Sequence, residues 1–293
     1  MFTIVILSFH SETHIKRLAT NIDKKYPIIV IENSLNIKLK NELEKKYNNI
    51  KVIIPKKNIG ISAGYNLGIR ESKTNFVKIT SADVNITNKS LQDLEYCISK
   101  IKNFALLGPT YDDESIYKNY GIWESKKIST ENTFNELEKY KIKEVDFIEN
   151  DFVINKKNFE NLDLFDENIF MYYETMDLCK KIRSSKKKNY VCKNIKFTHY
   201  GSQSVDSTLS EKYSLNRSWH YSWSKFYYFK KNFNYFFAIR KIFPNFIRSI
   251  KKMIISKICR KEKEYQLHKF VIKGILSSIS NNPSSYRPFE TNK

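Results

Sequence analysis

The sequence has few of the residues that interrupt regular structure. Its 293 residues include only 7 glycines and 6 prolines, whereas 41% are hydrophobic and 14% are aromatic. This composition excludes fibrous and low-complexity proteins, because a chain with so much apolar surface can bury a core. It predicts one large or two small folded domains.

Long apolar runs are also missing. The opening residues, MFTIVILSFHSETH, have no basic segment and only a short apolar run. No later stretch contains the about 20 consecutive apolar residues that a membrane span needs. We therefore expect no signal peptide and no spanning helix, and a protein that stays on the cytoplasmic side.

Cysteine is scarce, and its spacing indicates neither a zinc site nor a redox pair. The cysteines form no CxxC motif, and a chain of this length needs no disulfide. We expect reduced, mostly buried thiols at Cys97, Cys179, Cys192 and Cys259. The sequence also lacks a GxxxxGK[ST] loop and a GxGxxG motif, which removes the main support for an ATPase or a Rossmann enzyme.

Acidic residues are nearly absent from one part of the chain. Residues 212–269 contain 15 Lys and Arg against 2 acidic residues, a net charge of +13 out of the +20 of the whole chain. In the same segment, 14 aromatic residues lie between Tyr213 and Phe246. Such a segment is typical of a helix on an anionic membrane surface. It is also typical of a single-stranded nucleic-acid site, or of helices whose aromatics pack inward while the lysines are solvated.

Buried strands alternate with helices over the first part of the chain. The apolar runs TIVIL, IIVIE, KVIIP, NFVKI and FALLG predict strands, and the segments between them have amphipathic helical spacing. Strand–helix–strand repeats predict an α/β fold with a parallel sheet and helices on both faces. Ligands of such sheets bind at the carboxyl ends of the strands. The segments that follow the predicted strands include 8–11, 32–34, 55–60 and 80–85.

Three polar residues in or after predicted strands have both a functional and a structural interpretation. Asp83 can present a carboxylate to a cation that bridges diphosphate oxygens, or it can be a turn residue. Glu32 can accept hydrogen bonds from a ribose or a base, or it can cap a helix. His199 can bind a metal, or it can be a histidine satisfied within the core.

Two helical patterns are equally ambiguous. Gly60, Gly64 and Gly68 lie on one face of a predicted helix and allow the close approach of a ligand or of a strand. Glu174 and Asp177 are three residues apart at the start of another predicted helix, which brings both carboxylates to one face. Such a pair suits a general base, and it also suits the helix dipole.

Taken together, these motifs resemble the family 2 glycosyltransferases, nucleotide-sugar-dependent enzymes of the GT-A fold, especially the bacterial rhamnosyltransferase-like branch. The resemblance extends over residues 1–205. Its motifs are TIVILSFHS, IEN at 31–33, NIGISAGYNLG at 58–68, SAD at 81–83, FDENIFMYYETMDLCKKIR at 165–183 and THYGSQS at 198–204. It implies a GT-A domain at 1–211. From composition, we expect the basic aromatic residues 212–275 to form a helical extension on the membrane surface and the turn-rich residues 276–293 to form a flexible tail.

The resemblance also implies roles for individual residues. Contacts to the nucleotide are implied for Glu32 and Asn33. The donor pocket is implied at Asn58, Gly60, Gly64 and Asn66. Ligands of Mg²⁺ or Mn²⁺ are implied at Asp83 and His199. The catalytic base is implied at Glu174 or Asp177.

The chain departs from the family pattern at two positions. Ser81 stands where the family often has the first Asp of its DxD motif, so we expect weaker metal binding that depends more on the donor diphosphate. Thr175 stands where many relatives have the residue assigned as the base, and a Thr hydroxyl cannot act as a base near neutral pH.

The function implied by the resemblance is an inverting glycosyl transfer. The donor is a nucleotide sugar, and the acceptor is the hydroxyl of a lipid-linked saccharide in cell-surface polysaccharide assembly, at the inner face of the membrane and without nucleic acid as a partner. The alternative is a non-catalytic, glycosyltransferase-like scaffold on the membrane surface. A nucleotidyltransferase is disfavoured, because SFHSETH lacks a Gly- and Arg-rich loop after the first strand.

Overall fold

The computed structural model describes residues 1–101, 103–112, 118–122, 135–159, 164–199 and 210–289. Within these residues the chain divides into two compact units. The first comprises 1–58, 64–165 and 178–205, and the second comprises 59–63, 166–177 and 206–293. The part of the THYGSQS motif that follows His199 lies outside the described residues.

The described residues of the first unit contain eleven strands. In chain order they are β1 (Thr3–Ser8), β2 (Ile28–Glu32), β3 (Ile50–Ile53), β4 (Phe76–Ser81), β5 (Val84–Asn85), β6 (Leu106–Tyr111), β7 (Tyr120–Gly121), β8 (Ile142–Val145), β9 (Phe147–Ile148), β10 (Val153–Asn155) and β11 (Asn189–His199). Nine of them form one sheet in the order β3-β2-β1-β4-β10-β6-β11-β5, with β8 paired to β11. The five strands predicted from apolar runs are all in this sheet.

Strand direction determines where the polar segments lie. β1, β2, β3 and β4 are parallel neighbours. β10 is antiparallel to both β4 and β6, so β4 and β6 run the same way, and β11 is parallel to β6. The carboxyl ends of β1, β2, β4 and β11 therefore share one edge of the sheet, the edge at which parallel sheets bind ligands.

Amphipathic helices cover the sheet. They are α1 (Glu12–Asn21), α2 (Ile37–Lys46), α3 (Gly60–Glu71), α4 (Asn88–Lys100) and α5 (Glu174–Ser184). Leucines and isoleucines at helical spacing, such as Leu39 with Leu43 and Leu91 with Leu94, join the hydrophobic core of the sheet. The Thr87 side chain caps α4 by accepting a hydrogen bond from the Ser90 backbone NH. The predicted fold class, a mostly parallel sheet flanked by helices, is confirmed.

The second unit contains three long helices. They are α6 (Ser210–Asn232), α7 (Tyr235–Ile258) and α8 (Glu262–Ile279). Their shared core is formed by Phe226, Ala238, Ile242 and Ile275. The aromatic residues of the basic segment divide between two environments: Trp219, Trp223 and Phe226 are buried, whereas Phe236 and Phe243 on α7 are exposed. The predicted C-terminal helices are confirmed.

None of the described helices combines the length and the apolar character required to cross a membrane. All four cysteines are free thiols, as expected. Three of them are buried and Cys259 is exposed.

The predicted three-domain division stays a prediction. Helix α8 extends to Ile279, past the boundary placed at 276. Beyond it, the His220 ring makes contacts of 2.8 Å to the Ser284 hydroxyl and to the Tyr286 carbonyl oxygen. Ser284 and Tyr286, within the predicted tail, are therefore held by hydrogen bonds to α6.

Candidate functional site

The predicted site residues fall in both units. In the first unit are Glu32, Asn33, Asn58, Gly64, Asn66, Asp83 and His199. In the second unit are Gly60, Glu174 and Asp177.

Asp83 and His199, 116 positions apart in the chain, are brought together by strand pairing. The short strand β5 pairs antiparallel with the end of β11, with Val84 opposite His199. Asp83 immediately precedes β5, so its carboxylate meets the imidazole: Oδ1 lies 3.6 Å from His199 Nε2, and both side chains are almost completely buried. The Tyr111 ring stacks on the His199 ring, with the two ring centres 5.1 Å apart.

A divalent cation fits between these two side chains. Two atoms that are each about 2.1 Å from Mg²⁺ are at most about 4.2 Å apart, so one ion can contact both Oδ1 and Nε2. In the described part of the chain, no group of three or more His, Cys, Asp or Glu side chains gathers to hold a metal. Such an ion would therefore take its remaining ligands from water and from substrate phosphates, as Mg²⁺ commonly does.

A further carboxyl group lies near His199. Burial raises the pKa of Glu149, and the positive charge of His199 partly opposes this shift. A carboxyl group with a raised pKa holds its proton more readily, so it competes less for a cation than an ordinary carboxylate does.

Glu32 is fully buried at the carboxyl end of β2. Its Oε2 accepts a hydrogen bond from the Ser8 hydroxyl, and its Oε1 accepts from the Ser34 hydroxyl and from the Ser34 backbone NH at 2.8 Å. A carboxylate offers about four acceptor positions, and these contacts use three of them. Glu32 does not cap α2, since Asn36 does so by accepting from the Leu39 backbone NH.

Gly60 and Gly64, the two glycines implied in the donor pocket, lie where a side chain would come too close to neighbouring atoms. Gly60 has φ +80°, and a Cβ there would lie 2.5 Å from the Phe170 carbonyl oxygen. At Gly64 a Cβ would lie 2.7 Å from Leu7 Cδ2 and 3.7 Å from Asn33 Nδ2, so its absence lets α3 approach the sheet closely. This close approach is what the helix-packing interpretation predicts for Gly64, and the implied role of Gly64 in the donor pocket stays a prediction.

Asn66 has a clear structural contact. Its side chain accepts a hydrogen bond from the Phe165 backbone NH at 3.0 Å and donates one to the Phe165 carbonyl oxygen at 2.9 Å. These two bonds hold the chain at Phe165 against α3. Asn58 is half-buried just before that helix. The implied roles of both residues at the donor stay predictions.

Glu174 is the first residue of α5 and is almost completely buried. The positive end of the helix dipole stabilises a negative charge at this position. The two preceding residues, Tyr172 and Tyr173, both have φ near +67°, a conformation that is strained for aromatic residues and common at functional sites. Arg217 Nε donates a hydrogen bond of 2.6 Å to the Tyr172 hydroxyl, which supports this strained entry into the helix.

Asp177 is fully buried and already has charged and polar partners. Its Oδ2 accepts from Lys231 Nζ at 2.8 Å, and its Oδ1 accepts from Asn232 Nδ2 at 2.9 Å. Lys231 also bonds Asp166 at 2.6 Å. Burial lowers the pKa of Lys231, but the bonds to Asp166 and Asp177 outweigh this effect and leave the pKa above its ordinary value. A carboxylate held this way is poorly suited to accept a substrate proton.

A buried charged network escaped the sequence analysis. Lys78 and Asp151 are both fully buried, with Nζ 3.1 Å from Oδ1. The same carboxylate accepts hydrogen bonds from the Thr80 hydroxyl and, at 2.5 Å, from the Tyr111 hydroxyl. Because Tyr111 stacks on His199, the network supports the imidazole beside Asp83. Its signal in the sequence is a lysine in the middle of the apolar run NFVKI.

No protein-family model matches the chain. A curated relative, the low-salt glycan biosynthesis hexosyltransferase Agl10 of Haloferax volcanii, is 26% identical over 223 residues, which cover 71% of this chain and 69% of the relative.

Two solved structures share the fold. GalNAc-T7 with UDP, GalNAc and Mn²⁺ superposes with a TM-score of 0.53 at 14% identity, over 83% of this chain and 56% of that protein. The mannosyltransferase PcManGT of Pyrobaculum calidifontis, in complex with GDP-Man and Mn²⁺, has a TM-score of 0.55 at 10% identity, over 96% of this chain and 87% of that protein. The chain thus spans little more than half of GalNAc-T7 and most of PcManGT. The two solved structures confirm the predicted GT-A fold. The hexosyltransferase relative confirms the predicted resemblance to glycosyltransferases and, with it, the prediction of a glycosyltransferase-type enzyme.

Proposed function

We propose that this protein transfers a hexose from a nucleotide-diphosphate sugar to a hydroxyl group of a saccharide acceptor, with inversion at the anomeric carbon. The observation that carries the proposal is the contact between Asp83 and His199 at the strand edge where parallel sheets bind ligands. The hexosyltransferase relative supports the reaction class, and the nucleotide sugar in the mannosyltransferase structure supports the donor class.

In the proposed reaction the acceptor hydroxyl attacks the anomeric carbon on the face opposite the diphosphate. The new C–O bond forms as the bond to the diphosphate breaks, and the leaving group departs with the electron pair. A divalent cation held by Asp83 and His199 would supply positive charge against the developing negative charge. Glu32 would accept a hydrogen bond from the nucleotide.

We assign the base to Glu174. It takes the proton of the attacking hydroxyl, as a carboxylate does in general-base catalysis. Asp177, the other candidate from the sequence, is bound by Lys231 and Asn232 and is better explained as the residue that anchors α6. Its predicted role as a base is therefore not part of the proposal.

Donor and metal are tested together by thermal unfolding. We expect UDP- or GDP-sugars to raise the unfolding temperature of the full chain more with Mn²⁺ than without it. A ligand at a concentration of about 100 times its dissociation constant stabilises the fold by about 2.7 kcal/mol. Asp83→Asn should remove the Mn²⁺-dependent part, whereas Asp23→Asn, at an exposed position, should keep it. Equal shifts in both variants would refute the metal assignment.

The proposed acceptor is a lipid-linked saccharide at an anionic membrane surface. Helix α7 supports this. One face of this helix carries an exposed apolar stripe whose members are alternately seven and four residues apart: Phe236, Phe243, Ile247, Ile254 and Ile258. Phe236 is 84% exposed and Ile258 is 75% exposed. Exposed Arg240 and Lys251 lie beside the stripe, as expected for a helix that inserts its apolar face at headgroup depth.

Vesicle flotation tests this surface. The full chain should float with vesicles that contain phosphatidylglycerol, less so at high salt, and not with pure phosphatidylcholine. Phe236→Ser, Phe243→Ser and Ile254→Ser combined should weaken the binding at least about tenfold, because each buried apolar side chain contributes about 1.5–3 kcal/mol. Ser substitutions at three exposed apolar residues elsewhere, Ile37, Tyr96 and Ile122, form the matched control. Equal flotation of both triple variants would exclude the stripe as the docking surface.

A further inference from the structure

Three cationic side chains lie on neighbouring faces of two helices in the second unit. They are Lys225 on α6 and Lys241 and Arg248 on α7, and we call them the cation cluster. Lys241 and Arg248 are seven residues apart, so they share one face of α7. Lys241 Nζ lies 6.0 Å from the centre of the Phe229 ring, and Phe229 follows Lys225 by one turn of α6. None of the three cations is assigned to the donor, the metal or the base.

Neither helix supplies an acidic residue near the cation cluster. Helix α7 contains no Asp or Glu, and the acidic residue of α6, Glu211, is about 20 Å along the helix from Lys225. No carboxylate of a described residue forms an ion pair with a member of the cluster.

The cations of the cluster repel one another. Lys225 is half-buried; burial lowers its pKa, and the positive charges of Lys241 and Arg248 lower it further. Grouping like charges around a half-buried lysine costs free energy. Such a cost is characteristic of sites that are completed by a ligand of opposite charge. The cluster therefore indicates an anionic ligand.

The cation cluster lies near the proposed base. The Tyr173 ring, which immediately precedes Glu174, lies 6.2 Å from the Phe229 ring and 5.6 Å from the Tyr221 ring. Phe229 and Tyr221 are each one turn away from Lys225 on α6, on either side of it. An anion bound at Lys225 is therefore close to the beginning of α5, where Glu174 lies.

The cation cluster is also next to the apolar stripe of α7. Arg248 directly follows Ile247, a member of the stripe, and successive residues are about 100° apart around a helix. When the stripe inserts at headgroup depth, as proposed above, the cluster is level with the lipid phosphates. The cluster thus lies between the proposed membrane surface and the proposed base.

We propose that the cation cluster binds the phosphate groups that join the saccharide of the acceptor to its lipid. The proposal rests on the proposed function, which makes a lipid-linked saccharide the acceptor. Ammonium and guanidinium groups form strong, charge-assisted hydrogen bonds to phosphate oxygens, and the planar guanidinium of Arg248 can donate two of them side by side. Phosphate bound at the cluster holds the saccharide near Glu174 while the lipid chain stays in the bilayer.

Other anionic partners share only part of this chemistry. The headgroup of an ordinary anionic lipid also offers phosphate, but it carries no saccharide towards Glu174. A single-stranded nucleic acid offers phosphates together with bases that stack on aromatic rings. The members of the apolar stripe on either side of Arg248 are Ile247 and Ile254, which cannot stack with bases. A lipid-linked acceptor therefore fits this surface better.

The test is vesicle flotation of the full chain without donor or metal. One set of phosphatidylcholine vesicles contains undecaprenyl diphosphate, and a second set contains phosphatidylglycerol at the same total negative charge. We expect the wild type to bind the diphosphate vesicles at least about tenfold more tightly, the difference expected for one hydrogen bond to a charged group. Equal binding to the two sets would mean that the cluster attracts any anionic surface and would overturn the proposal.

Two triple variants remove the same charge from different places. The cluster variant should lose the preference for diphosphate vesicles, and it combines Lys225→Gln, Lys241→Gln and Arg248→Gln. The control variant should keep the preference, and it replaces three exposed cations where α7 ends and α8 begins: Lys257→Gln, Arg260→Gln and Lys263→Gln. An equal loss of preference in both variants would refute the assignment to the cluster.

Competition tests the nucleic-acid alternative. An excess of a single-stranded oligo-dT should leave the wild type bound to the diphosphate vesicles. Its release by the oligonucleotide would overturn the proposal in favour of a nucleic-acid site.

Folding of the cluster variant is measured in parallel by urea denaturation. Its free energy of unfolding should not fall, because the substitutions remove mutually repelling charges. A large fall would mean that the cations hold α6 and α7 together, which would contradict the ligand site. Stabilisation by nucleotide sugars is a separate measurement, so a failure of the proposed donor or metal site shows there and not in the flotation result.

Discussion

Replacing Glu174 by glutamine is expected to lower turnover by about 10²- to 10⁴-fold, the usual contribution of a general base. Glutamine keeps the size and the polarity of the side chain but cannot accept the acceptor's proton at neutral pH. Donor binding should not change, because the proposed donor contacts are made by other residues. The measurements are release of the nucleoside diphosphate during turnover and thermal stabilisation by the donor.

The matched control for this variant is Glu211→Gln. Glu211 also lies in the first turn of a helix, α6, but it is exposed. The Glu211→Gln variant should leave turnover unchanged. If Glu174→Gln retains wild-type turnover, the base assignment is wrong. If both turnover and donor stabilisation are absent from the wild type, the non-catalytic scaffold that the sequence left open is the better description.

Replacing Lys78 by methionine is expected to lower the free energy of unfolding by about 3–5 kcal/mol, the usual cost of leaving a buried charge without its partner. Lys78 is fully buried in β4, and burial lowers its pKa although the charge of Asp151 opposes this. Without Lys78, the Asp151 carboxylate keeps only the hydroxyls of Thr80 and Tyr111 as partners among the contacts described above. Urea denaturation of the full chain measures the effect.

Two further variants separate burial from ion pairing. The double variant Lys78→Met with Asp151→Asn should recover part of the loss, because no uncompensated charge remains. Lys51→Met removes a shorter ion pair, 2.7 Å from Lys51 Nζ to Glu71 Oε2, but that pair is solvent-exposed. Exposed pairs contribute little, so stability should barely change. A loss at Lys51 as large as that at Lys78 would contradict the burial argument.

Much of the fold could be predicted from local patterns. The five apolar runs became strands, and the helix predicted from Glu174 was found at Glu174–Ser184. These elements follow from hydrophobic periodicity, which a sequence displays directly. The antiparallel insertion of β10 between β4 and β6 was not predicted, because pairing partners are chosen by the whole sheet and not by a short segment.

The candidate site was predictable only in part. Motif resemblance selected Asp83 and His199, and the structure brings them within 3.6 Å of each other. The sequence left Glu174 and Asp177 equivalent as bases. The structure supports our assignment of Glu174, because Asp177 is bound by Lys231 from a helix more than fifty positions away in the chain.

By itself, the sequence determined the α/β class, the charge of the C-terminal segment and the residue types available for metal and proton chemistry. These properties depend on composition and on spacing along the chain. Tertiary structure decided which carboxylates already have partners and which aromatic residues of the basic segment stay exposed. Hydrogen bonding and burial depend on neighbours that are distant in sequence, and only the folded chain brings those neighbours together.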